Sequence, residues 1–356
     1  MINLFLKREK YFHMSIALSL MLINSCSSGQ ELDSMKPHHK KNGFRNTSKN
    51  FVRHGFSSMI KWRWSRDEAA LPSLNPKDYR FPEIKNDGKV LKENSKNFSA
   101  TWIGHATVLV QIDGKNILTD PIWSDRCSPV SFAGPKRYTK PGLSLDNLPK
   151  IDLVLISHNH YDHMDLDTLV ELEKRFKPHF LVGLNNKKLL LSAGLSRVSE
   201  LDWWDAVSEK SLTITFTPTQ HFSGRKIVDL DMSLWGSFVV SGKFKKFYFS
   251  GDTGYFEGFS EISKRFSDID LAILPIGAYE PRWFMSPMHV DPQQSVKAFV
   301  DLKAKYMVPM HYQTFVLTDE ALDEPLRLTY QEFENQNISL ERLLGLKIGE
   351  SYFLDE

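Results

Sequence analysis

The stretch LVLISHNHYDHMD, residues 153–165, runs from a block of apolar side chains straight into three histidines and an aspartate. Leu153–Ile156 is a short continuous apolar run, of the kind shown by a strand buried on both faces. Alternate side chains of an extended backbone share a face, so His158 and His160 point the same way. Asp162 and His163 follow where the chain turns toward the helically spaced DLDTLVELEKRF (165–176), and they aim elsewhere. One loop can therefore feed two neighbouring ions, the first pair serving one and the second pair the other. Imidazole and carboxylate without thiolate suit zinc first, with iron or manganese as alternatives.

Two ions need more donors, and the sequence offers them in matching places. His221 ends LTITFTPTQ (212–220), Asp252 follows FYFSG (247–251) and His311 follows YMVPM (306–310). Each stands at the C-terminal end of an apolar strand, where side chains can converge on one rim. Asp252, with two carboxylate oxygens, is the natural bridge. A lone histidine at a strand end is ordinarily a satisfied polar residue. Four donors within six positions, joined by three more in repeated contexts, are not.

Around these ligands stand residues with two readings. Asp120, in LTDP, is expected to hydrogen-bond a ligating histidine and fix its tautomer, against the alternative of a turn aspartate before Pro121. For His105, in IGHAT, simple packing is preferred over a supporting role near the site. His54 and His179 read as structural, and His38 and His39, among lysines, as solvated. Trp203, Trp204 and Trp235 are assigned to the core. Trp283, Phe284, Met285 and Met288, in a loop before a further histidine, are candidates to line an apolar groove. Arg282 is divided between a phosphate contact and a surface salt bridge.

Outward from the histidines the pattern is that of paired strands and helices. ATWIGHATVLVQIDGKNILTDP (100–121) alternates across Asp113–Gly114, a hairpin signature. Alternating or apolar stretches recur in LTITFTPTQHF (212–222), SLWGSFVVSG (233–242) and KFKKFYFSGDTGYF (243–256), then in DIDLAILPIGAY (268–279) and YMVPMHYQ (306–313), with the helical DPQQSVKAFVDLKAKY (291–306) between the last two. Strand groups followed by helices, twice over, predict an α+β fold: an αββα sandwich of two mixed sheets flanked by helices.

The chain of 356 residues, 41% hydrophobic and 25% charged, can bury a large core. Its net charge of +2 conceals an asymmetry. Residues 27–97 hold 15 Lys+Arg against 8 Asp+Glu, whereas residues 98–356 hold 27 against 34. A basic tether and N-terminal extension (27–97) thus precedes an acidic body (98–356), and a basic segment favours anionic lipid surfaces. Within the extension, MKPHHKKNGFRNTSKN reads as flexible, while the aromatic-rich FSSMIKWRWSRDEAALP reads as packed on the body. Basic residues without interleaved stacking aromatics give no support to nucleic-acid binding.

Residues 1–26 resemble a bacterial lipoprotein signal: a basic start at Lys7, Arg8 and Lys10, an apolar run too short to span a bilayer, and INSC ending in Cys26. The resemblance implies lipidation of Cys26 and an anchored protein of the cell envelope, facing the periplasm or the extracellular side. The absence of aspartate from SSGQ favours the outer membrane. A plain secretory peptide or a retained anchor are the alternatives. Cys127 would then have no disulfide partner.

HNHYDH matches the HxHxDH signature of the metallo-β-lactamase superfamily. TWIGHATVLVQID, LPKIDLVLISHNHYDHMD, FTPTQHFSGR, FSGDTGYFEGF and LPIGAYEPRWFMSPMHVDP further resemble the N-acylphosphatidylethanolamine-hydrolysing phospholipase D family over roughly residues 98–353. The resemblance implies one zinc held by His158, His160, His221 and Asp252, and another by Asp162, His163, Asp252 and His311. It places Tyr161 and His289 on the substrate phosphate, and makes Asp162, Asp252 and His289 the residues expected to carry catalysis. One departure is Met288, where a polar residue is expected before His289. The expected reaction is attack on phosphorus by a metal-bridging hydroxide, releasing an N-acylethanolamine and phosphatidic acid. The same scaffold allows a lactone, another phosphodiester or a β-lactam as substrate, or a lipid-binding protein without catalysis. Partners implied are a phospholipid, a membrane surface and, as an option of the family, a second copy of the chain.

Overall fold

The structure is a computed structural model and describes residues 36–48, 51–66, 71 and 79–354. The signal-like stretch and Cys26 lie outside the described residues. Among the described residues no helix is long and apolar enough to cross a membrane.

A small hairpin, β1 (His39–Lys40) and β2 (Gly43–Phe44), opens the described chain and is followed by α1 (Phe56–Ser65) and α2 (Lys89–Glu93). The first large sheet is built from β3 (Ser99–Gly104), β4 (Thr107–Ile112), β5 (Lys115–Thr119), β6 (Leu153–Ile156), β7 (His179–Gly183) and β8 (Val198–Leu201). The second contains β9 (Ala206–Glu209), β10 (Leu212–Thr217), β11 (Ser237–Ser241), β12 (Lys246–Phe249), β13 (Leu271–Pro275) and β14 (Tyr306–Met310). The last strand, β15 (Ser351–Phe353), returns to pair antiparallel with β3. Both sheets are mixed: antiparallel hairpins on one side, then parallel runs β5-β6-β7-β8 and β12-β13-β14. The helices are α3 (Leu166–Phe176), α4 (Lys187–Ser192), α5 (Gly258–Arg265), α6 (Arg282–Met285), α7 (Pro292–Leu302) and α8 (Glu324–Asn335).

The period-2 alternation of the strands explains the layers. Leu153 and Leu155 enter the large core between the sheets, where Trp102, Phe216, Phe238 and Trp235 are buried. Val154 and Ile156 enter a separate core on the other face, against Leu169 and Leu172 of α3. This strand is therefore buried on both sides, as its unbroken apolar run requires. Truncating Leu169 to alanine would cost about 2–5 kcal/mol, the usual range for a fully buried leucine. Helices α5 and α7 bring Phe259, Ile262, Val296 and Phe299 to the hydrophobic cluster that includes the second sheet. The architecture is the αββα sandwich expected from the sequence.

Two expectations for the N-terminal segment fail. Residues 36–48, read as flexible, carry the β1–β2 hairpin with Phe44 buried. His38 and His39 are not solvated: His38 is buried, stacks on Trp203 at 4.2 Å and donates from Nε2 to Asp202 Oδ1 at 2.6 Å. The partner lies 164 residues away, and nothing local in the sequence signals it. The cluster does not suit a metal ion, because Lys36 Nζ already compensates the Asp202 carboxylate at 2.8 Å. The aromatic-rich segment packs on the body as expected: Trp62 stacks on Phe284 at 5.2 Å and donates to Asp319 Oδ2 at 2.6 Å.

Candidate metal centre

Parallel strands bring their C-terminal ends to one edge, and the chemistry-bearing residues follow those ends. Asp120 follows β5, His158 follows β6, Asp252 follows β12 and His311 follows β14. His221 follows β10, two antiparallel steps from β12 and so running in the same direction. Three of the turns place ordinary residues in left-handed backbone: His105 at φ 54°, Asp120 at 32° and His311 at 65°. Asp and His tolerate this region better than most side chains, at a cost of about 1 kcal/mol or more each. Gly251, at φ 57°, has a second constraint: a Cβ there would lie 2.3 Å from the Ser157 Cβ. The Asp252 turn can thus close onto the histidine loop only with glycine before it.

Four donors form a cage. His163 Nε2 lies 3.2 Å from His311 Nε2, 3.3 Å from Asp162 Oδ2 and 3.2 Å from Asp252 Oδ2. His311 Nε2 lies 3.3 Å from each of the same two carboxylate oxygens. Ligands bound at ~2.0 Å in a tetrahedron have edges of ~3.3 Å, so five measured edges fit one metal ion of zinc size. Beside it, His158 Nε2 faces His160 Nδ1 at 2.8 Å, and His221 Nε2 lies 3.4 Å from that same nitrogen. Asp252 Oδ2 is 3.8 Å from His221 Nε2, and Asp252 Oδ1 is buried without a hydrogen-bond partner. All seven sequence-predicted ligands are therefore brought together in two groups with Asp252 between them. The donor set is nitrogen and oxygen throughout.

A ring of hydrogen bonds orients the imidazoles. Asp120 is fully buried; its Oδ2 accepts from His163 Nδ1–H at 2.6 Å and from the Ser157 hydroxyl. Its Oδ1 accepts from the Ser157 backbone N–H at 2.7 Å. The Ser157 Oγ accepts in turn from His158 Nδ1–H at 2.9 Å, so one carboxylate orients a histidine of each group. His221 Nδ1–H donates to the Met288 carbonyl at 2.9 Å. Met288 serves here through its backbone, while its side chain is buried.

His105 does more than pack. It is 1% exposed, and its Nε2–H donates to Asp162 Oδ2 at 3.0 Å. Burial pushes it down to about 3, which keeps it neutral. Arg225 was also not apparent from the sequence. Its guanidinium donates to the carbonyls of Asn159 at 3.0 Å and Met164 at 2.8 Å, and lies 4.0 Å over the Tyr161 ring, so it clamps the histidine loop from both ends.

The electrostatics of the clustered side chains follow from burial and from opposed charges. Burial lowers His158 and His221 well below the ordinary imidazole value, and takes His160 and His289 down to about 4. Burial pulls His163 and His311 the same way, but Asp252 and Asp162 overcome it, holding His163 well above the usual value and His311 at about 9. Burial would raise Asp162 and Asp252; facing His163, both instead lie well below the carboxylate range.

The substrate-side residues divide. His289 lies beside the cage, with Nδ1 3.8 Å from Asp252 Oδ2 and no hydrogen-bond partner for that nitrogen. Tyr161 lines a cleft of about 420 Å³ with Arg126, Val130 and Arg225, but its hydroxyl donates to the Arg225 carbonyl at 3.1 Å. A phosphate contact from that hydroxyl requires release of this bond. Phe284, Met285 and Met288 do not line an open groove: they are buried, Phe284 between His54 and Trp62. Of this set Trp283 remains exposed. Arg282 holds Asp291 Oδ2 at 3.0 Å and the His289 carbonyl at 3.0 Å, which shapes the His289 turn.

Comparison with known proteins bears on this centre. The family model described as the β-lactamase superfamily domain matches residues 115–312. An uncharacterised protein of Mycobacterium tuberculosis is 37% identical over 281 residues, 78% of this chain and 72% of that protein. N-acyl-phosphatidylethanolamine-hydrolyzing phospholipase D 1 of Caenorhabditis elegans is 40% identical over 240 residues, 64% of this chain and 67% of that protein. Among solved structures, a metallo hydrolase of the archaeon Ignicoccus hospitalis superposes with a TM-score of 0.56 at 24% identity, covering 72% of this chain and 98% of that one. This last likeness is one of fold.

Proposed function

Because the chain belongs to the metallo-β-lactamase superfamily and is a metal-dependent hydrolase, we propose that it is a zinc-dependent phosphodiesterase cleaving N-acylated phosphatidylethanolamine. The observation that carries the reading is the four-donor cage of Asp162, His163, Asp252 and His311, joined through Asp252 to a second group of three histidines. The worm relative supplies the substrate class. Two bound zinc ions would supply a water ionised near neutral pH and offset the charge on the phosphate oxygens.

The residues then have separable tasks. His158, His160 and His221 would hold one ion and Asp162, His163 and His311 the other, with Asp252 lying between the two groups. Asp120, through His163 and through Ser157 to His158, keeps both groups in the tautomer that presents a lone pair to metal. His105 keeps Asp162 aimed into the cage. His289, kept neutral by burial, would donate its ring N–H to a phosphate oxygen. An imidazole held down at about 4 carries no acid proton near neutral pH, so the departing ethanolamine oxygen would take its proton from water. The water oxygen bonds to phosphorus, the bond from phosphorus to the ethanolamine oxygen breaks, and that oxygen takes a proton. Phosphatidic acid and an N-acylethanolamine result. No serine or cysteine nucleophile is needed, and burial pushes the Cys127 thiol far up from its ordinary value.

The substrate's bilayer supplies the partner surface. Trp64, Phe132 and Val228 are more than four-fifths exposed, and Trp283 is half-exposed beside Lys61, whose ammonium lies 5.2 Å from its ring. Exposed bulky apolar groups mixed with lysine and arginine suit the interface of an anionic membrane. Lipidation at Cys26 would hold the protein at that interface in the bacterial cell envelope.

The test is product analysis. The zinc-loaded protein is incubated with vesicles of N-acylated or plain phosphatidylethanolamine, with and without chelator, and both products are read by mass spectrometry. Equimolar N-acylethanolamine and phosphatidic acid, lost on chelation, are expected. Intact lipid alongside cleavage of a lactone, a β-lactam or another phosphodiester would replace the substrate and keep the centre.

A further inference from the structure

Lys36–Ser48 contributes no metal ligand, yet it holds one. Asn46 forms a two-way amide pair with the backbone of His221: Nδ2 donates to the His221 carbonyl at 2.7 Å, and the His221 N–H donates to Asn46 Oδ1 at 3.1 Å. The flank has a physical need for it. β10 ends at Thr217, four residues before His221, where its pairing with β11 also ends. An amide beyond a strand end must find another partner or remain unpaired. The Asn46 carboxamide supplies what a neighbouring strand would.

The segment is tied at two further places, and the chain just beyond it at a third. At its start, Asp202 accepts from His38 at 2.6 Å and from His39 at 3.0 Å, and pairs with Lys36 at 2.8 Å. In its middle, Phe44 is buried in the main hydrophobic cluster and its N–H donates to the Asp231 carbonyl at 2.8 Å. Gly43 is required there, since a Cβ would lie 2.1 Å from that carbonyl oxygen. Just beyond the segment, Arg53 pairs with the Asp231 carboxylate and lies 4.8 Å from the Phe222 ring. Both ends of the His221–Asp231 loop are thereby fastened to the N-terminal segment. His163 and His158, in contrast, are oriented by Asp120 and Ser157 from within the sheets, and the His311 N–H donates to the His105 carbonyl at 3.1 Å.

We propose that residues 36–48 form a strap that positions His221, with Asn46 as the positioning residue and Asp202 as the anchor. Metal occupancy on the His158–His160–His221 side therefore depends on docking of the strap, whereas the Asp162–His163–His311 side does not. The inference rests on the reading that the centre binds metal.

The experiment uses the full chain, stripped with a chelator and titrated with zinc against a chromogenic competitor that resolves two binding steps. Asn46→Ala is expected to weaken one step by about tenfold, the lower end of what outer contacts of metal ligands contribute, and to leave the other unchanged. Asp202→Asn, remote from the centre, is expected to act on the same step and less strongly. By reciprocity, zinc loading of the wild-type protein should raise the hydrogen-exchange protection of peptides from 36–48. This last measurement needs no variant and decides the matter where a variant does not fold. Two zinc ions bound with strap exchange unchanged, or both steps weakened equally in the variants, would overturn the strap. A wild-type protein that takes up no zinc would overturn the metal reading and the strap with it.

Discussion

Asp120 and His163, 43 residues apart in the chain and both fully buried, are joined by a 2.6 Å hydrogen bond from imidazole Nδ1 to carboxylate Oδ2. The bond fixes which nitrogen of His163 faces the cage, and Ser157 extends the same control to His158. Asp120→Asn keeps the shape of the side chain and removes its charge. The expected result is a 10–100-fold loss of zinc affinity with the fold intact. Competition titration and circular dichroism measure the two halves; wild-type affinity in the variant would remove Asp120 from this role.

His105→Phe fills the same space without a donor for Asp162. Loss of a hydrogen bond to a charged group costs about 1.5–3 kcal/mol. Activity or metal affinity at the Asp162 side should fall about 10- to 100-fold. Glutamine, whose Nε2 can reach toward the same oxygen, should restore part of the loss. Equal behaviour of the two variants would return His105 to a packing role.

The ion-free protein should have a stability maximum near pH 6.5. His311 is held at about 9 when folded against 6.5 when unfolded, so the native state binds more protons between these values. Its contribution is complete below 6.5 and is lost as pH rises through about 9. His160 and His289 lie at about 4 when folded, so the unfolded state binds more protons between 4 and 6.5. Stability therefore also falls as the pH drops below 6.5. Thermal denaturation of chelated protein across pH 4–9 checks both limbs, and a monotonic profile would contradict the assignment. Zinc binding at pH 7 should release protons from His163 and His311, with the release falling as pH passes about 9; calorimetry in buffers of different ionisation enthalpy reads it.

Arg225→Ala leaves the carbonyls of Asn159 and Met164 without their guanidinium donor and uncovers Tyr161. Each lost bond to a charged donor costs about 1.5–3 kcal/mol, and water entering the space recovers part of it. A fall in melting temperature with a loosened histidine loop is expected. Lysine should not rescue, because a point charge cannot reach both carbonyls as a planar fork does. Unchanged stability in both variants would show that the loop holds itself.

Cys26→Ser tests the envelope reading. The wild-type chain, expressed in a bacterium, should sediment with membranes and incorporate labelled fatty acid; the variant should do neither. Incorporation by the variant would place any lipid elsewhere.

The sequence displayed the fold, and the seven donors that the fold gathers, because both are written in local patterns. Leu153–Ile156 reads as doubly buried from its composition alone, and the donors announce themselves by standing at strand ends. What it concealed was long-range or carried by the backbone. The Met288 carbonyl that orients His221 has no residue signature, and the side chain above it pointed to a departure where the structure has a function. His105 looked like a hairpin residue because its partner, Asp162, is 57 positions away. His38 and His39 looked solvated because lysines surround them, whereas one carboxylate 164 and 163 positions off gathers both. Phe284 looked free for a ligand because α1, which covers it, precedes it by more than 200 residues.

The central claim is a dinuclear centre of nitrogen and oxygen donors built from His158, His160, Asp162, His163, His221, Asp252 and His311. Zinc X-ray absorption on the reconstituted protein, with metal counted per chain, tests it most directly. Two zinc ions per chain, ligated only by nitrogen and oxygen and separated by about 3.5–4 Å, are predicted. A chain that binds one ion or none under excess zinc, or whose metal shows sulfur in its shell, would contradict it.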